Sequence, residues 1–248
     1  MDWGRWSGTA LVVGAGGLGH ALVAALASRA PGLRVWATSR DPERALAAER
    51  AGAVRVLPLD VRDGDSLDRL GEAVLAEAQP LRLVIVALGV LHGEGLSPEK
   101  RLDHVTFHSL ERVFAVNAFG PLLLARALAP AMPRDQPCQF ASLSARVGSI
   151  GDNRSGGWYS YRAAKAAQNQ LLTCLALEWR RRRPQTCVTL LHPGTTDTPL
   201  SRPFQASVPQ GRLFTPERAA GHLLDVLQAQ TPERSGDFLA WDGQAIPW

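Results

Sequence analysis

The chain is poor in the features that mark secreted, metal-bound or membrane-spanning proteins. Its 248 residues include only three cysteines, Cys138, Cys174 and Cys187. An odd count at scattered spacing gives no disulfide framework and no metal-ligand pattern, so no metal is expected, and it suits a reducing compartment. The N-terminus, Met1-Asp2-Trp3-Gly4-Arg5-Trp6, lacks a basic region followed by an apolar run, so no signal peptide is expected. No run approaches about 18 uninterrupted apolar residues, so no membrane span is expected either. A cytoplasmic protein follows as the expectation. Charge is modest: 20% of residues are charged and the net charge is +4. Part of the excess lies in Arg180-Arg181-Arg182-Arg183. Ahead of Pro184 that run reads as the solvated last turn of a helix, where cations suit the dipole, and not as a nucleic-acid patch. Repeats and a clear linker are also lacking. What remains, 46% hydrophobic residues over this length, fits one large α/β domain.

The most informative stretch is Trp158-Tyr159-Ser160-Tyr161-Arg162-Ala163-Ala164-Lys165. Tyr161 and Lys165 are four apart, so on a helix they share one face and can enter one cleft. A free tyrosine has a pKa of about 10, and a nearby ammonium lowers it. A tyrosine tuned in this way can give a proton to a carbonyl oxygen or take one from an alcohol. Alone, the pair reads as a surface lysine one turn after a half-buried tyrosine.

The surroundings supply the context. Ala10 to Val13 reads as a strand, Gly14-Ala15-Gly16-Gly17-Leu18-Gly19 as a tight turn, and His20 to Arg29 as a helix. Strand, glycine turn and helix together make a dinucleotide cradle, because the turn lets backbone approach a pyrophosphate and the helix offers free N–H groups. Leu33 to Thr38 is the second predicted strand and ends in Ser39-Arg40-Asp41-Pro42. An arginine there accommodates a 2′-phosphate, whereas an acid binds a 2′-hydroxyl. Arg40, with Ser39 as a second donor, favours NADP(H) over NAD(H), since Asp41 before Pro42 also reads as a helix cap. Further strands are predicted over Val54 to Leu59, closed by Asp60, and over Leu81 to Leu88, ending at Gly89. A helix is expected to start at Asp65 or Ser66. Glu99 to His108 fits no single element. Leu110 to Met132 reads as a long helix interrupted at Gly120-Pro121. Asn117 in its middle either satisfies a local backbone group or has a functional task. Gln139 to Ser142 and Thr186 to His192 complete the inner strands, and the last leads into Pro193-Gly194-Thr195-Thr196-Asp197-Thr198. Ser201 to Leu213 reads as an irregular loop, Pro216 to Gln230 as a helix and Phe238 to Trp241 as a final strand. Alternating strands and helices imply one parallel sheet covered on both faces, with the strand ends in a row.

In this order the pieces resemble a classical short-chain dehydrogenase/reductase over nearly the whole chain. Arg146 to Ile150, Gly157 to Tyr161 and the ending Trp241 to Trp248 are similar to its C-factor/sniffer-like carbonyl reductase subgroup. The resemblance implies a single-domain Rossmann fold, a doubly wound parallel sheet of about seven strands. It implies hydride transfer on an aldehyde, ketone or alcohol, with Tyr161 as general acid or base and Lys165 lowering its pKa and holding the nicotinamide ribose. Asn117 would anchor a water, and a serine would orient the substrate oxygen. Gly14, Gly16, Gly17, Leu18, Gly19, Ser39, Arg40, Asp60, Val61, Gly89, Pro193, Gly194, Thr196 and Thr198 would line the cofactor. A homodimer or homotetramer through the two long helices is implied, although some close relatives are monomers. Three departures stand out. The glycine turn is one residue short of the family's usual spacing. The family's Asn-Asn-Ala-Gly is here Val86-Ala87-Leu88-Gly89. The usual catalytic serine position is Ala145, with Ser144 a substitute only if the backbone bends at the strand end. A catalytically weak, dinucleotide-binding sensor or signalling protein is the alternative that Ala145 motivates.

Overall fold

The computed structural model describes residues 1–248. Seven parallel strands form one sheet in the order β3-β2-β1-β4-β5-β6-β9. The strands are β1 (Gly8–Val13), β2 (Leu33–Thr38), β3 (Arg55–Leu57), β4 (Leu81–Val86), β5 (Cys138–Leu143), β6 (Thr186–His192) and β9 (Phe238–Ala240). A separate pair, β7 (Thr195–Thr196) and β8 (Leu213–Phe214), follows the sixth strand. The inner strands β1, β4 and β5 are buried at every residue, as expected of parallel strands covered on both sides. Successive residues face opposite layers. Ala10 and Val12 join the core under α1 (Leu18–Arg29) and α7 (Pro216–Gln228), while Leu11 and Val13 join the core under α3 (Gly64–Leu75), α5 (Gly120–Leu128) and α6 (Tyr159–Arg182). This is the doubly wound arrangement, and its strand order reverses between β1 and β4, where a crevice opens.

Several boundaries differ from the sequence expectation. The strand expected from Val54 to Leu59 is only three residues long because β3 is an edge with one neighbour. The helix expected at Asp65 starts at Gly64, capped by Asp63. The second helix, α2 (Pro42–Arg50), has Asp41 as its cap, accepting from Glu43 N and Arg44 N. Within Glu99 to His108, only Leu102–His104 forms a short 3₁₀ turn before α4 (Phe107–Phe114) begins. Gly120-Pro121 does not interrupt the long helix. A π-turn at Ala115–Phe119 lets the Gly120 N–H reach Ala115 O, so the proline's missing donor is absorbed where the ladder is already shifted. The continuous segment Phe107–Ala131 is long and apolar enough to cross a membrane, with mean hydropathy 1.5. Here it packs against α3 and α6. The arginine run is not uniformly solvated: Arg183 is buried and donates to Met132 O at 2.6 Å.

Candidate active site

The glycine turn after β1 is tied to the end of β2. Gly14 N donates to Thr38 Oγ1 (3.0 Å) and Ala15 N to Thr38 O (2.8 Å). Gly17 caps α1 with φ +46° and no side-chain cap, so the first-turn N–H groups carry no side-chain acceptor. Gly19 lets the helix start sit on the turn: a Cβ there would lie 1.8 Å from Gly14 O. The departure in spacing therefore still yields a cradle for an anion at a helix N-terminus. Leu18 itself faces the core.

Charge gathers where β2 and β3 end. Arg40 Nη1 lies 3.6 Å from Asp60 Oδ2. Arg62 grips Asp60 through Nε–Oδ1 (3.0 Å) and Nη2–Oδ2 (2.6 Å), and this hydrogen-bonded guanidinium holds the carboxyl at about 2. Arg44 reaches back over the turn, so that a Cβ on Gly16 would meet its Nη1 at 2.8 Å. Asp41 is engaged as the α2 cap, and Ser39 Oγ closes a turn by donating to Asp41 O (2.9 Å). Val61 is buried against Gly120. Arg44 and Arg62 were missed in the sequence. Their only signal was their placement just after the β2 and β3 ends.

At the other side of the crevice, α6 carries Tyr161 and Lys165, both buried. Burial raises the Tyr161 phenol above its usual value and lowers the Lys165 ammonium to about 7. Lys165 Nζ lies 5.8 Å from the Tyr161 ring centroid and donates to Leu143 O (2.8 Å) and Gln168 Oε1 (2.9 Å). In this structure burial alone moves the phenol, upward, with no opposing contribution from Lys165, so the phenol keeps its proton. Tyr161 packs with Ala118 and Leu91, and Ala145, Trp158, Leu200 and Phe204 flank that cluster. Trp158 starts α6 in the left-handed region (φ 51°, ψ 43°), with its ring 4.7 Å from Phe204 and 6.3 Å from Tyr161. Such backbone is costly for a bulky residue and collects at functional sites. It is held by Glu99, whose backbone O accepts from Trp158 N (2.5 Å) and whose carboxylate accepts from Ser160 N and from the hydroxyls of Ser109 and Ser160.

Ser144 does not enter this cleft as a substitute for the missing serine. Ala145 has extended backbone (φ −148°, ψ 145°), and Ser144 N still pairs with Leu191 O (2.7 Å), so the strand alternation continues without the required bend. Ser144 Oγ is buried and donates to Asn169 Oδ1 at 2.6 Å, while the adjacent Ala145 packs against the cluster that contains Tyr161. Asn117 lies in the π-turn. Its Nδ2 donates to Val90 O (2.8 Å) and Val113 O (2.9 Å), and its Oδ1 accepts from Val90 N (3.1 Å). It thus clamps the segment that follows Gly89 onto the helix. After β6, Gly194 has φ +74°, Thr196 is buried, and the Thr198 methyl lies against Gly17. Pro193 to Thr198 and the glycine turn therefore meet across the crevice. His92, also missed, donates from Nε2 to Pro199 O and Leu200 O, both at 3.1 Å, and ties this loop to the segment after β4.

The residues fit a dinucleotide: a glycine cradle at a helix start, a cationic corner at the β2 end, and a tyrosine and lysine across the crevice. Comparison with known proteins agrees. The short chain dehydrogenase family model matches residues 8–208. A Rhodococcus sp. (strain AD45) protein, 1-hydroxy-2-glutathionyl-2-methyl-3-butene dehydrogenase, is 33% identical over 241 residues, covering 97% of this chain and 99% of its own. The NADPH-bound carbonyl reductase from chicken fatty liver superposes with a TM-score of 0.83 at 25% identity, covering 98% of this chain and all of that one. The carbonyl reductase Sniffer of D. melanogaster shares the fold, with a TM-score of 0.81 at 23% identity and 96% and 99% coverage. The order of the site along the chain and these likenesses meet in one conclusion: the chain belongs to the short chain dehydrogenases, oxidoreductases that act on alcohol and carbonyl groups.

Proposed function

We propose that the chain is an NADPH-dependent reductase of aldehydes or ketones in which Tyr161 gives the proton to the substrate oxygen. The observation that carries this reading is the buried Tyr161–Lys165 pair facing an apolar cleft, with the phenol held in its protonated form. When bound, the nicotinamide supplies the hydride, and the protein contributes position and electrostatics. Lys165 holds the ribose end and Asn117 fixes the segment through Val90. Gly14 to Gly19 receive the pyrophosphate. Arg40, joined by Arg44 and Arg62, faces a 2′-phosphate; Asp41, as a helix cap, does not compete for a ribose hydroxyl. The chicken enzyme's bound NADPH supports the same cofactor choice. Leu200, Phe204 and Trp158 give the cleft an apolar wall, which suits a partly apolar substrate. The Rhodococcus relative is named for a glutathionyl alcohol, so that alcohol belongs in the substrate panel.

The test follows the absorbance of NADPH beside NADH with aldehydes, quinones and diketones as hydride acceptors, and the formation of reduced nicotinamide from NADP+ beside NAD+ with the glutathionyl alcohol. Turnover that prefers NADPH is expected, with Arg40→Ala and Arg44→Ala each raising the NADPH KM about tenfold. Equal use of NADH by the unmodified protein would overturn the cofactor assignment. Ala145 places no hydroxyl on the substrate oxygen. A lost oxyanion donor commonly costs about 10²–10³-fold, so Ala145→Ser is expected to raise kcat by at least about tenfold. Steady-state rates on the best substrate check this, and an unchanged kcat would show that the oxygen is already oriented by other groups.

A further inference from the structure

Lys165 does not stand alone in the α6 interface. Its Nζ donates to Gln168 Oε1 (2.9 Å) and Leu143 O (2.8 Å), and Gln168 Nε2 donates to Ser142 Oγ (2.7 Å) and Leu143 O (3.2 Å). Gln168 and Ser142 are fully buried. The Leu143 carbonyl can only accept, so it fixes which way the amide lies: Nε2 toward β5, Oε1 toward the ammonium. An apolar residue at this position would fill the same space against β5. A buried amide whose acceptor meets an ammonium is a more specific arrangement, because an acceptor left unpaired there is costly. Two of the three ammonium N–H groups are thereby fixed, and one is left over.

We propose that Gln168 is a positioning residue that keeps Lys165 protonated and fixes its orientation through a Ser142–Gln168–Lys165 chain. The proposal rests on the reading of Tyr161 and Lys165 as the acid–base pair. The groups facing Lys165 leave few other sources of control. On its own helix stands Tyr161, a neutral phenol. From β5 come only the Leu143 carbonyl and the Ser142 hydroxyl. From the turn Arg146–Gly148, Gly148 packs on the Lys165 Cβ, while Arg146 turns to Asp152 (3.1 Å). Burial alone lowers the ammonium, with no carboxylate opposing it. Hydrogen bonds to a charged form favour it, and the Leu143 carbonyl and the Gln168 amide oxygen are the acceptors placed to do so.

The chain has two lysines, Lys100 and Lys165. Protein labelled at lysine ¹³Cε, in a Lys100→Arg background, therefore gives one lysine signal, titrated by NMR without cofactor. Removing the acceptor in Gln168→Leu is expected to lower the midpoint by about one pH unit, and placing a carboxylate there in Gln168→Glu to raise it by about as much. NADPH affinity, read by fluorescence at pH 7, is expected to fall about tenfold in Gln168→Leu and to be restored in Gln168→Glu. A merely space-filling Gln168 would leave the Gln168→Leu midpoint with that of the unmodified protein, and that result overturns the proposal. Should Gln168→Leu fail to fold, Gln168→Met, which keeps the unbranched length without the amide acceptor, takes its place with the same expected fall, and a midpoint unchanged in it overturns the proposal. Failure of the underlying reading looks different: the midpoints separate, yet Tyr161→Phe keeps its turnover.

Discussion

Tyr161→Phe is expected to lower kcat by about 10²–10⁴-fold, the usual contribution of a positioned general acid, while the NADPH dissociation constant stays within about twofold. The change removes one oxygen and keeps the ring. That ring is held by packing among Leu91, Val113, Ala118 and Ala164 and by its edge contact with Trp158, so the fold and cleft shape survive. The phenol is buried and its proton is held firmly. In the ground state this favours donation to a carbonyl over removal of a proton from an alcohol. The proton must still leave in the reaction, and a charged Lys165 beside bound cofactor offsets the cost of the phenolate. Single-turnover measurement of NADPH oxidation separates this effect from binding. Turnover within about threefold of the unmodified protein would remove Tyr161 from the mechanism.

Gly19→Ala carries the second large effect, on binding and stability together. Its Cβ would stand 1.8 Å from Gly14 O, inside any allowed contact, and the obstacle is backbone that cannot rotate away. Either α1 moves off the turn or the turn opens, and both spoil the cradle. Overpacking of this kind costs up to about 3 kcal/mol. For a domain of this size that corresponds to a fall in Tm of about 6–12 °C. NADPH affinity is expected to fall at least tenfold. Gly64→Ala is the control, since nothing lies within 4 Å of a Cβ there. Calorimetry and fluorescence titration of both variants check the prediction. A Gly19→Ala protein with normal affinity would mean that the pyrophosphate is held elsewhere.

How much of this was readable in the chain depended on the range of the contact involved. β2 and β6 lie where the sequence placed them, because a parallel strand covered on both faces has a near-continuous apolar signature, broken in β2 by the exposed Arg34. Tyr161 and Lys165 were readable because one helix brings i and i+4 together. Arg44 and Arg62 were not: they meet at the crevice only through the pairing of β2 with β3 and the angle of α2. Gln168 was hidden for a similar reason, since its partners on β5 are set by which face α6 turns to the sheet. Ser144 and Ala145 show the limit of local pattern most directly. Neighbouring residues of similar size exchange roles with one step of backbone alternation, and only the extended backbone at Ala145 decides which of them turns toward the cluster that contains Tyr161. Gly120-Pro121 misled in the opposite sense, as a helix breaker made harmless by the wide turn before it.

That wide turn has a consequence for chain length. A π-turn holds one residue more than the α-helix needs to join the same two ends. Between Ala115 and Phe119 the chain can therefore lose a residue and close into regular helix, with α4 and α5 keeping their faces toward α3 and α6. Anywhere else in Phe107–Ala131 a deletion would rotate every following side chain by about 100° and turn apolar positions out of the core. What a deletion at the wide turn removes is the Asn117 clamp on Val90. The surplus residue is thus a separable part, carried for the crevice and not for the helix that contains it.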